Sequence, residues 1–244
     1  MLPVSEAAAD ADVRFVHAVP GAPAASLTVG GASLPAVGFG SATGYTAVDS
    51  GDVTLRLGSD GDTIADSADT LADGSRYTVV AAGTTRSPDL TVYRDGRPAG
   101  GQARIRAIGA ASELGDVDVD LGGETIASNL GFGAASDYAS VDPGSYSLEA
   151  TRPGGGGSAI VSQPGAVVAA GSSTTAVLLG SGGERTRFLV LNDSTVTPAG
   201  APATGLGGLT GEQGAPWLLA LMAALLAGAV GGGAHRFSGR RRAG

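Results

Sequence analysis

Alternating carboxylates in the second half of the chain are the first residues that could do chemistry. Asp116, Asp118 and Asp120 are separated by single valines, and carboxylate oxygens are preferred ligands of calcium. Residues two apart in a strand lie about 6.5–7 Å apart on one face, whereas calcium gathers oxygens within about 2.3–2.6 Å. We therefore expect a solvated sheet face here, and we expect no metal or other cofactor. The matching positions of an internal repeat hold the uncharged residues Ala24, Ser26 and Thr28.

His17 is the one histidine in the region that we expect to fold, and the chain has no cysteine. A Ser-His-Asp catalytic triad needs a histidine as its general base, so any hydrolase would have to use His17 in that role. We favour a buried or strand-end histidine that hydrogen-bonds locally, which predicts a protein that is not an enzyme. An envelope-associated hydrolase acting on cell-wall material is the alternative. The acidic stretch 59–63 lacks the ligand spacing of a calcium loop and predicts a hairpin turn.

A pentapeptide near the C-terminus, Ala201-Pro202-Ala203-Thr204-Gly205, resembles the LPxTG-like motif of a cell-wall sorting signal. Ala201 replaces the usual leucine. In such a signal the thiolate of a sortase attacks the Thr204 carbonyl, and a cell-wall amine resolves the thioester. Pro202 holds the segment extended, and Gly205 adds little bulk beside the attacked bond. The resemblance implies a sortase and peptidoglycan as partners, and simple retention as a membrane anchor is the alternative.

An apolar run follows this motif at 215–234. Twenty helical residues span about 30 Å, which is the thickness of the hydrocarbon core of a membrane. Trp217 suits the membrane interface, and Arg240, Arg241 and Arg242 indicate a cytoplasmic end. The sequence therefore predicts a flexible linker at 196–214, a transmembrane helix at 215–234 and a basic cytoplasmic tail at 235–244.

The N-terminal segment, residues 1–11, has neither the basic start nor the apolar run of a signal peptide. Since the arginine tail predicts that everything before the membrane helix lies outside the cell, the chain must be exported. We therefore expect that the true start lies upstream of Met1. A tail-anchored protein that faces the cytosol is the alternative.

An internal repeat determines the predicted domain organisation. Residues 39–51 (FGSATGYTAVDSG) recur almost unchanged at 132–144 (FGAASDYASVDPG). Further matches, between 13–15 and 103–105 and between 74–83 and 171–180, extend the repeat in both directions. A recurring block of this length indicates two copies of one domain, which we place at 12–98 and 102–195.

Most segments of each copy alternate apolar and polar residues with period two, as half-buried strands do. Short strands separated by turn residues, with no helical periodicity, predict an all-β fold of two tandem antiparallel β-sandwiches of Ig-like type. We expect Phe39 and Phe132 to plug the two cores. The equivalent pair Tyr45 and Tyr138 is expected at a strand edge rather than on a sugar-binding surface.

The first copy, through RFVHAVPGAPAASLTVGG at 14–31 and the FG…Y…V-D-x-G phrase that follows, resembles domain-of-unknown-function family 4397. The second copy departs from this pattern with Arg106-Ala107-Ile108 and has no proline pair, so we expect its opening loop to differ. The resemblance implies an envelope protein of bacteria, often actinobacteria, with tandem domains. The family implies no activity.

The charge distribution excludes one class of partner. Residues 1–215 hold 11 arginines and 23 acidic residues, a net charge of −12, so nucleic acid is repelled. The chain has no lysine, so it lacks the amine that covalent pilus polymers and isopeptide cross-links require. We predict a non-enzymatic cell-surface protein, membrane-anchored or wall-attached, that serves in adhesion, binding or structural spacing. Its expected partners are the membrane and a surface ligand, protein or glycan.

Overall fold

The structure, a computed structural model, describes residues 10–96, 102–154, 158–180 and 186–194. Every regular element in these ranges is a β-strand, so the predicted all-β class is confirmed. None of the described residues belongs to a helix that could cross a membrane. The predicted linker, membrane helix and tail lie outside the described residues, together with Pro202, Ala203, Thr204, Gly205, Trp217, Arg240, Arg241 and Arg242.

The first repeat contains nine strands, and the turn residues predicted from the sequence separate them. They are β1 (Ala11–His17), β2 (Ala25–Val29), β3 (Ala32–Val37), β4 (Ser41–Ala42), β5 (Thr46–Val48), β6 (Gly51–Ser59), β7 (Asp62–Leu71), β8 (Arg76–Thr84) and β9 (Ser87–Arg94). The predicted hairpin at 59–63 is confirmed, because Asp60 and Gly61 connect β6 to β7 with φ of 52° and 93°. Positive φ at both central residues is the signature of a tight two-residue hairpin.

The second repeat follows the same order with eight strands. They are β10 (Ala103–Gly109), β11 (Val117–Leu121), β12 (Glu124–Leu130), β13 (Ala139–Val141), β14 (Gly144–Thr151), β15 (Val161–Val168), β16 (Ser173–Leu179) and β17 (Arg187–Asn192). An isolated bridge between Ile108 and Ala135 stands where the first repeat has β4.

Each repeat folds into two sheets, which we call outer and inner. The outer sheets have the orders β3-β2-β6-β7 and β12-β11-β14-β15. The inner sheets have the orders β4-β1-β8-β9, with β5 also paired to β1, and β13-β10-β16-β17. Buried apolar side chains fill the space between outer and inner sheet in each repeat, so each repeat is a β-sandwich.

The prediction of purely antiparallel sheets is wrong for one strand pair in each repeat. β1 pairs in parallel with β8, and β10 pairs in parallel with β16. Parallel neighbours need a crossover connection between them. In the first repeat the chain between β1 and β8 provides that crossover: β2, β3, β6 and β7 form the outer sheet, and β4 and β5 pair with β1 between them.

The alignment of 13–15 with 103–105 is wrong by two residues. Arg14 pairs with Thr78 in the parallel ladder of the first repeat, and Arg106 pairs with Thr175 in that of the second. Arg14 therefore corresponds to Arg106, and Gly109 rather than Ala107 corresponds to His17. Because side chains in a strand alternate with period two, a shift of two residues leaves every side chain on its original face. The apolar pattern alone does not distinguish these registers.

Candidate functional site

The two repeats meet through their inner sheets, and we call the buried contact between these sheets the seam. Its apolar part takes four fully or almost fully buried side chains from each repeat. They are Val16, Ala18, Val80 and Ala82 from the first repeat, and Ile108, Ala110, Val177 and Leu179 from the second. The inner strands are therefore buried on both faces, one against their own outer sheet and one against the other repeat.

The polar part of the seam is a buried network that crosses between the repeats. The Arg14 guanidinium donates through Nε to Thr78 Oγ1 at 2.8 Å within its own repeat. Through Nη2 it forms an ion pair with Asp193 of the second repeat, and the Asp193 side chain is fully buried. Asp193 also accepts from Thr175 Oγ1 at 2.8 Å and from the Tyr138 hydroxyl at 2.7 Å.

The same arrangement recurs with the repeats exchanged. Arg106 donates through Nε to Thr175 Oγ1 at 3.0 Å and through Nη2 forms an ion pair with Asp95 of the first repeat. Asp95 accepts from Thr78 Oγ1 at 2.8 Å and from the Tyr45 hydroxyl at 2.5 Å. Each aspartate is thus held by a threonine and a tyrosine of its own repeat and by the arginine of the other.

Tyr45 and Tyr138 directly precede the edge strands β5 and β13, as expected, and their hydroxyl groups lie inside this network. Their rings lie beneath the seam arginines, with Arg14 4.9 Å from the Tyr45 centroid and Arg106 4.8 Å from the Tyr138 centroid. These distances suit cation–π attraction, which strengthens when the pair is removed from water.

The recurring phrase at 39–51 and 132–144 forms a large part of the seam. Thr43 and Ser136 accept equivalent backbone bonds from the inner strands, and Tyr45 and Tyr138 follow two residues later. Each copy also receives a donor from the opposite repeat. Arg187 Nη2 donates to the Gly40 carbonyl at 3.1 Å, and the Tyr93 hydroxyl donates to the Gly133 carbonyl at 2.9 Å.

Neither phenylalanine of the phrase plugs a sandwich core. Phe39 is partly buried against the apolar part of the seam, where Arg187 lies 5.7 Å from its ring centroid. Phe132 is 45% exposed. The cores are filled instead by strand residues such as Phe15 and Ile105, so a recurring aromatic residue was a misleading core signal.

Burial shifts the pKa values of the network. Burial raises the pKa of Tyr138 to about 12 and also raises that of Tyr45. Burial by itself would lower the pKa of Arg14, but the Asp193 carboxylate and its neighbours raise it overall. Burial raises the pKa of Asp193, although the attraction of Arg14 opposes the change. The two arginines and two aspartates have formal charges that cancel.

Both ends of the folded pair lie at one end of the seam. Arg14, the central residue of β1, donates through Nη1 to the carbonyl of Asn192, the last residue of β17, at 3.2 Å. Arg76 forms an ion pair with Asp12 at 3.2 Å and donates to the Asp193 carbonyl at 3.0 Å. The start of the first strand and the end of the last strand are therefore joined directly.

The end of the first repeat and the start of the second lie there too. Arg106, in β10, donates through Nη1 to the carbonyl of Arg94, the last residue of β9, at 2.8 Å. The two sandwiches therefore lie side by side and not end to end. The loops that follow His17 and Thr84 lie at the opposite end, about 20 Å along the seven-residue strand β1.

His17 is buried, with 1% of its surface exposed, and both ring nitrogens contact backbone. Nε2 donates to the Pro23 carbonyl at 2.8 Å, and Nδ1 accepts from the Val19 amide at 3.3 Å. The prediction of a locally hydrogen-bonded histidine is confirmed. Its two contacts fix the loop between β1 and β2.

A pocket of about 250 Å³ opens beside this loop at the end of the first sandwich. The loop after β1, the β6–β7 hairpin and the β8–β9 hairpin form its walls. Its lining is Val19, Ala22, Pro23, Ser59, Asp60, Asp62, Ile64, Thr85 and Pro88.

The aspartates of β11 lie on its half-exposed face, as the sequence predicts. Asp118 accepts from the Asn129 amide at 2.8 Å, and Asp120 accepts from the Thr125 hydroxyl at 2.5 Å. Within the described ranges, no three histidine, aspartate or glutamate residues are grouped as metal ligands.

The sequence interpretation missed Arg14, Asp95, Arg106 and Asp193. Two signals could have revealed them. The inner strand stretch 79–82 (VVAA) is apolar without alternation, which indicates a strand buried on both faces. In addition, an aspartate follows the last strand of both copies, at matching positions.

Two segments of the chain, residues 11–120 and 108–204, match the family described as Domain of unknown function (DUF4397). No curated protein matches the chain. Among solved structures, the chain is similar to a protein of Bacteroides fragilis that is provisionally described as a cell adhesion protein. The two are 12% identical, the match covers 78% of this chain and 98% of that one, and the TM-score is 0.20.

Breaking one ion pair of the seam should destabilise both repeats together. Arg14→Met leaves Asp193 buried without its cross-repeat partner, and such changes cost about 3–5 kcal/mol. We expect a single thermal transition at a clearly lower temperature, measured by calorimetry. Arg56→Met, at an exposed position of β6, is the matched control and should change stability little. Two separate transitions in the variant would contradict cooperative folding through the seam.

Alkaline pH should weaken the seam through its tyrosines. A tyrosine whose pKa is raised by folding contributes stability below its unfolded pKa, about 10, and loses it as pH rises through the folded value. For Tyr138 that window runs from about 10 to about 12. We expect the melting temperature to fall above pH 10, and to fall less steeply in Tyr138→Phe. If the melting temperature falls equally steeply with pH in both proteins, folding does not raise the pKa of Tyr138.

Proposed function

Because the chain belongs to the family described as Domain of unknown function (DUF4397), with two copies fused along a buried seam, we propose that it is a non-enzymatic cell-surface protein for adhesion or binding. The single observation that carries this proposal is the position of the chain ends. Both ends of the described pair lie at one end of the seam, where Arg14 and Arg76 hold Asn192 and Asp193.

This position has a consequence for a protein anchored at its C-terminus. The chain continues from Ser194 at that end of the seam, so an anchor beyond it would be attached at this end of the pair. The loops at the opposite end are then the ones furthest along the sandwiches from the point of attachment. Two sandwiches that lie side by side extend over the length of one domain and not of two. A structural spacer would gain more length from domains placed end to end, so this arrangement favours binding over structural spacing.

The environment of His17 supports a non-enzymatic role over an envelope-associated hydrolase. A general base needs a ring nitrogen free to take a proton from its nucleophile. Both nitrogens of His17 contact backbone atoms of the neighbouring loop, and the side chain is buried. The residue is thus used to hold a loop.

Anchoring is proposed from the sequence of the C-terminal region. The apolar run at 215–234 would lie in the membrane with Trp217 at one interface and the arginines at the other. A sortase would cut after Thr204 and join the protein to peptidoglycan.

Surface display can be tested with cysteine labelling, because the natural chain has no cysteine. Ser87→Cys lies in the exposed β8–β9 hairpin, at the end far from the point of attachment. When the gene is expressed from its own chromosomal locus, we expect a membrane-impermeant maleimide to label this variant on intact cells. Ala176→Cys, fully buried in β16, should react only after denaturation. Labelling of Ser87→Cys only after lysis would contradict surface display.

Wall attachment predicts a defined C-terminus. Mass spectrometry of protein released by wall hydrolases should show a chain that ends at Thr204 and carries a wall fragment. Thr204→Ala should abolish this species. Since the chain has no lysine, we expect one attachment per molecule and no ladder of covalent homopolymers. A tail intact through Gly244 in every molecule would show that the protein stays a membrane anchor.

A further inference from the structure

The pocket at the end of the first sandwich has walls that are held in place by buried polar side chains. His17 bonds the backbone of Val19 and Pro23, both of which line the pocket. The Ser59 hydroxyl, almost fully buried, donates to the Ala24 carbonyl at 3.1 Å and so ties the β6–β7 hairpin to the same loop. A pre-formed pocket avoids the cost of ordering its loops when a ligand binds.

The second repeat lacks the contacts that His17 makes in the first. Gly109 corresponds to His17 and has no side chain that could brace the loop after β10. The seam residues, in contrast, recur in both repeats. The histidine brace is therefore present in the first repeat and absent at the matching position of the second, as expected of a feature that the fold itself does not require.

The lining combines an apolar body with two carboxylates. Val19, Ala22 and Pro88 contribute apolar surface, and Ile64 is 41% exposed although it is a large aliphatic residue. Asp60 and Asp62 flank Gly61 at the hairpin tip, and both are exposed. Within the described ranges neither carboxylate has a hydrogen bond or an ion pair with another residue.

We propose that this pocket binds a lysine side chain of a partner polypeptide. The four-carbon stem of lysine is apolar and would pack on the apolar walls, while its ammonium group would lie beside Asp60 and Asp62. The compact ammonium suits two carboxylates at a rim better than a planar guanidinium, which favours bidentate pairing. Because the chain has no lysine, a copy of the same protein cannot supply the ligand.

The position of the pocket agrees with this role. It lies at the end of the first sandwich that is opposite to Ser194, from which the chain continues towards its C-terminus. The inference rests on the proposed surface display, because an anchor attached beyond Ser194 leaves this end of the first sandwich free for partners outside the cell. It adds to that proposal the site and the chemical class of the ligand.

The test is a titration of the full-length protein in mild detergent with three capped tripeptides, Ac-Ala-X-Ala-NH2, in which X is lysine, norleucine or arginine. Norleucine keeps the stem of lysine without its charge. Backbone amide shifts in NMR spectra report binding and its location. We expect saturable shifts at Val19, Ala22 and Gly61 with the lysine peptide, and affinity about tenfold weaker with norleucine.

Two matched variants locate the charge contribution. Asp60→Asn with Asp62→Asn should weaken lysine binding about tenfold, and asparagine preserves the turn because it tolerates a positive φ. Asp66→Asn with Asp69→Asn removes the same charge from exposed positions further along β7 and should leave the affinity unchanged. Unaltered amide spectra away from the substitutions show that both variants fold.

Several results would overturn the assignment. They are no saturable shift with the lysine peptide, equal affinity for norleucine, tighter binding of arginine, or equal losses in the two aspartate variants. If these occur while Ser87→Cys is labelled on intact cells, the pocket assignment fails and surface display stands. If the lysine peptide binds but Ser87→Cys is labelled only after lysis, the pocket exists and the surface role is wrong.

Discussion

Two buried carboxylates, Asp95 and Asp193, impose the constraint on which the arrangement of this protein depends. Each is fully buried, and its own repeat supplies the hydroxyl groups of a threonine and a tyrosine. Asp95 also lies 3.9 Å from Arg14 of its own repeat, but the closest arginine of each aspartate belongs to the other repeat. Because an unbalanced charge in the protein interior costs several kcal/mol, each repeat needs the arginine of the other to keep its aspartate buried in the seam.

The burial of the inner sheets follows from this constraint. A β-sandwich normally exposes the outer face of each sheet, but here the inner sheets are covered on both sides. This explains the strands that are buried on both faces, such as β16, in which every residue is buried. It also explains the recurring phrase, since its backbone carbonyls, hydroxyls and tyrosines all contribute to the seam.

The two repeats differ where they do not touch. The loop braced by His17 has no counterpart in the second repeat, where Gly109 takes that position. The seam residues recur in both copies because each copy supplies the arginine that pairs with the buried aspartate of the other. The loops at the ends of the sandwiches have no such requirement. These loops are also surfaces available for ligands.

The sequence by itself determined the strands, the turns, the duplication and the family, since period-two alternation and turn residues are local properties. It also predicted the local hydrogen bonds of His17, because the sequence offers no catalytic or metal-binding motif that would include this histidine. Only the tertiary structure decided that Arg14 meets Asp193 and Arg106 meets Asp95. These residues are 179 and 11 positions apart, and no local pattern links them. The side-by-side placement depends on those long-range contacts, because burying charge is favourable only where the opposite charge is already in place.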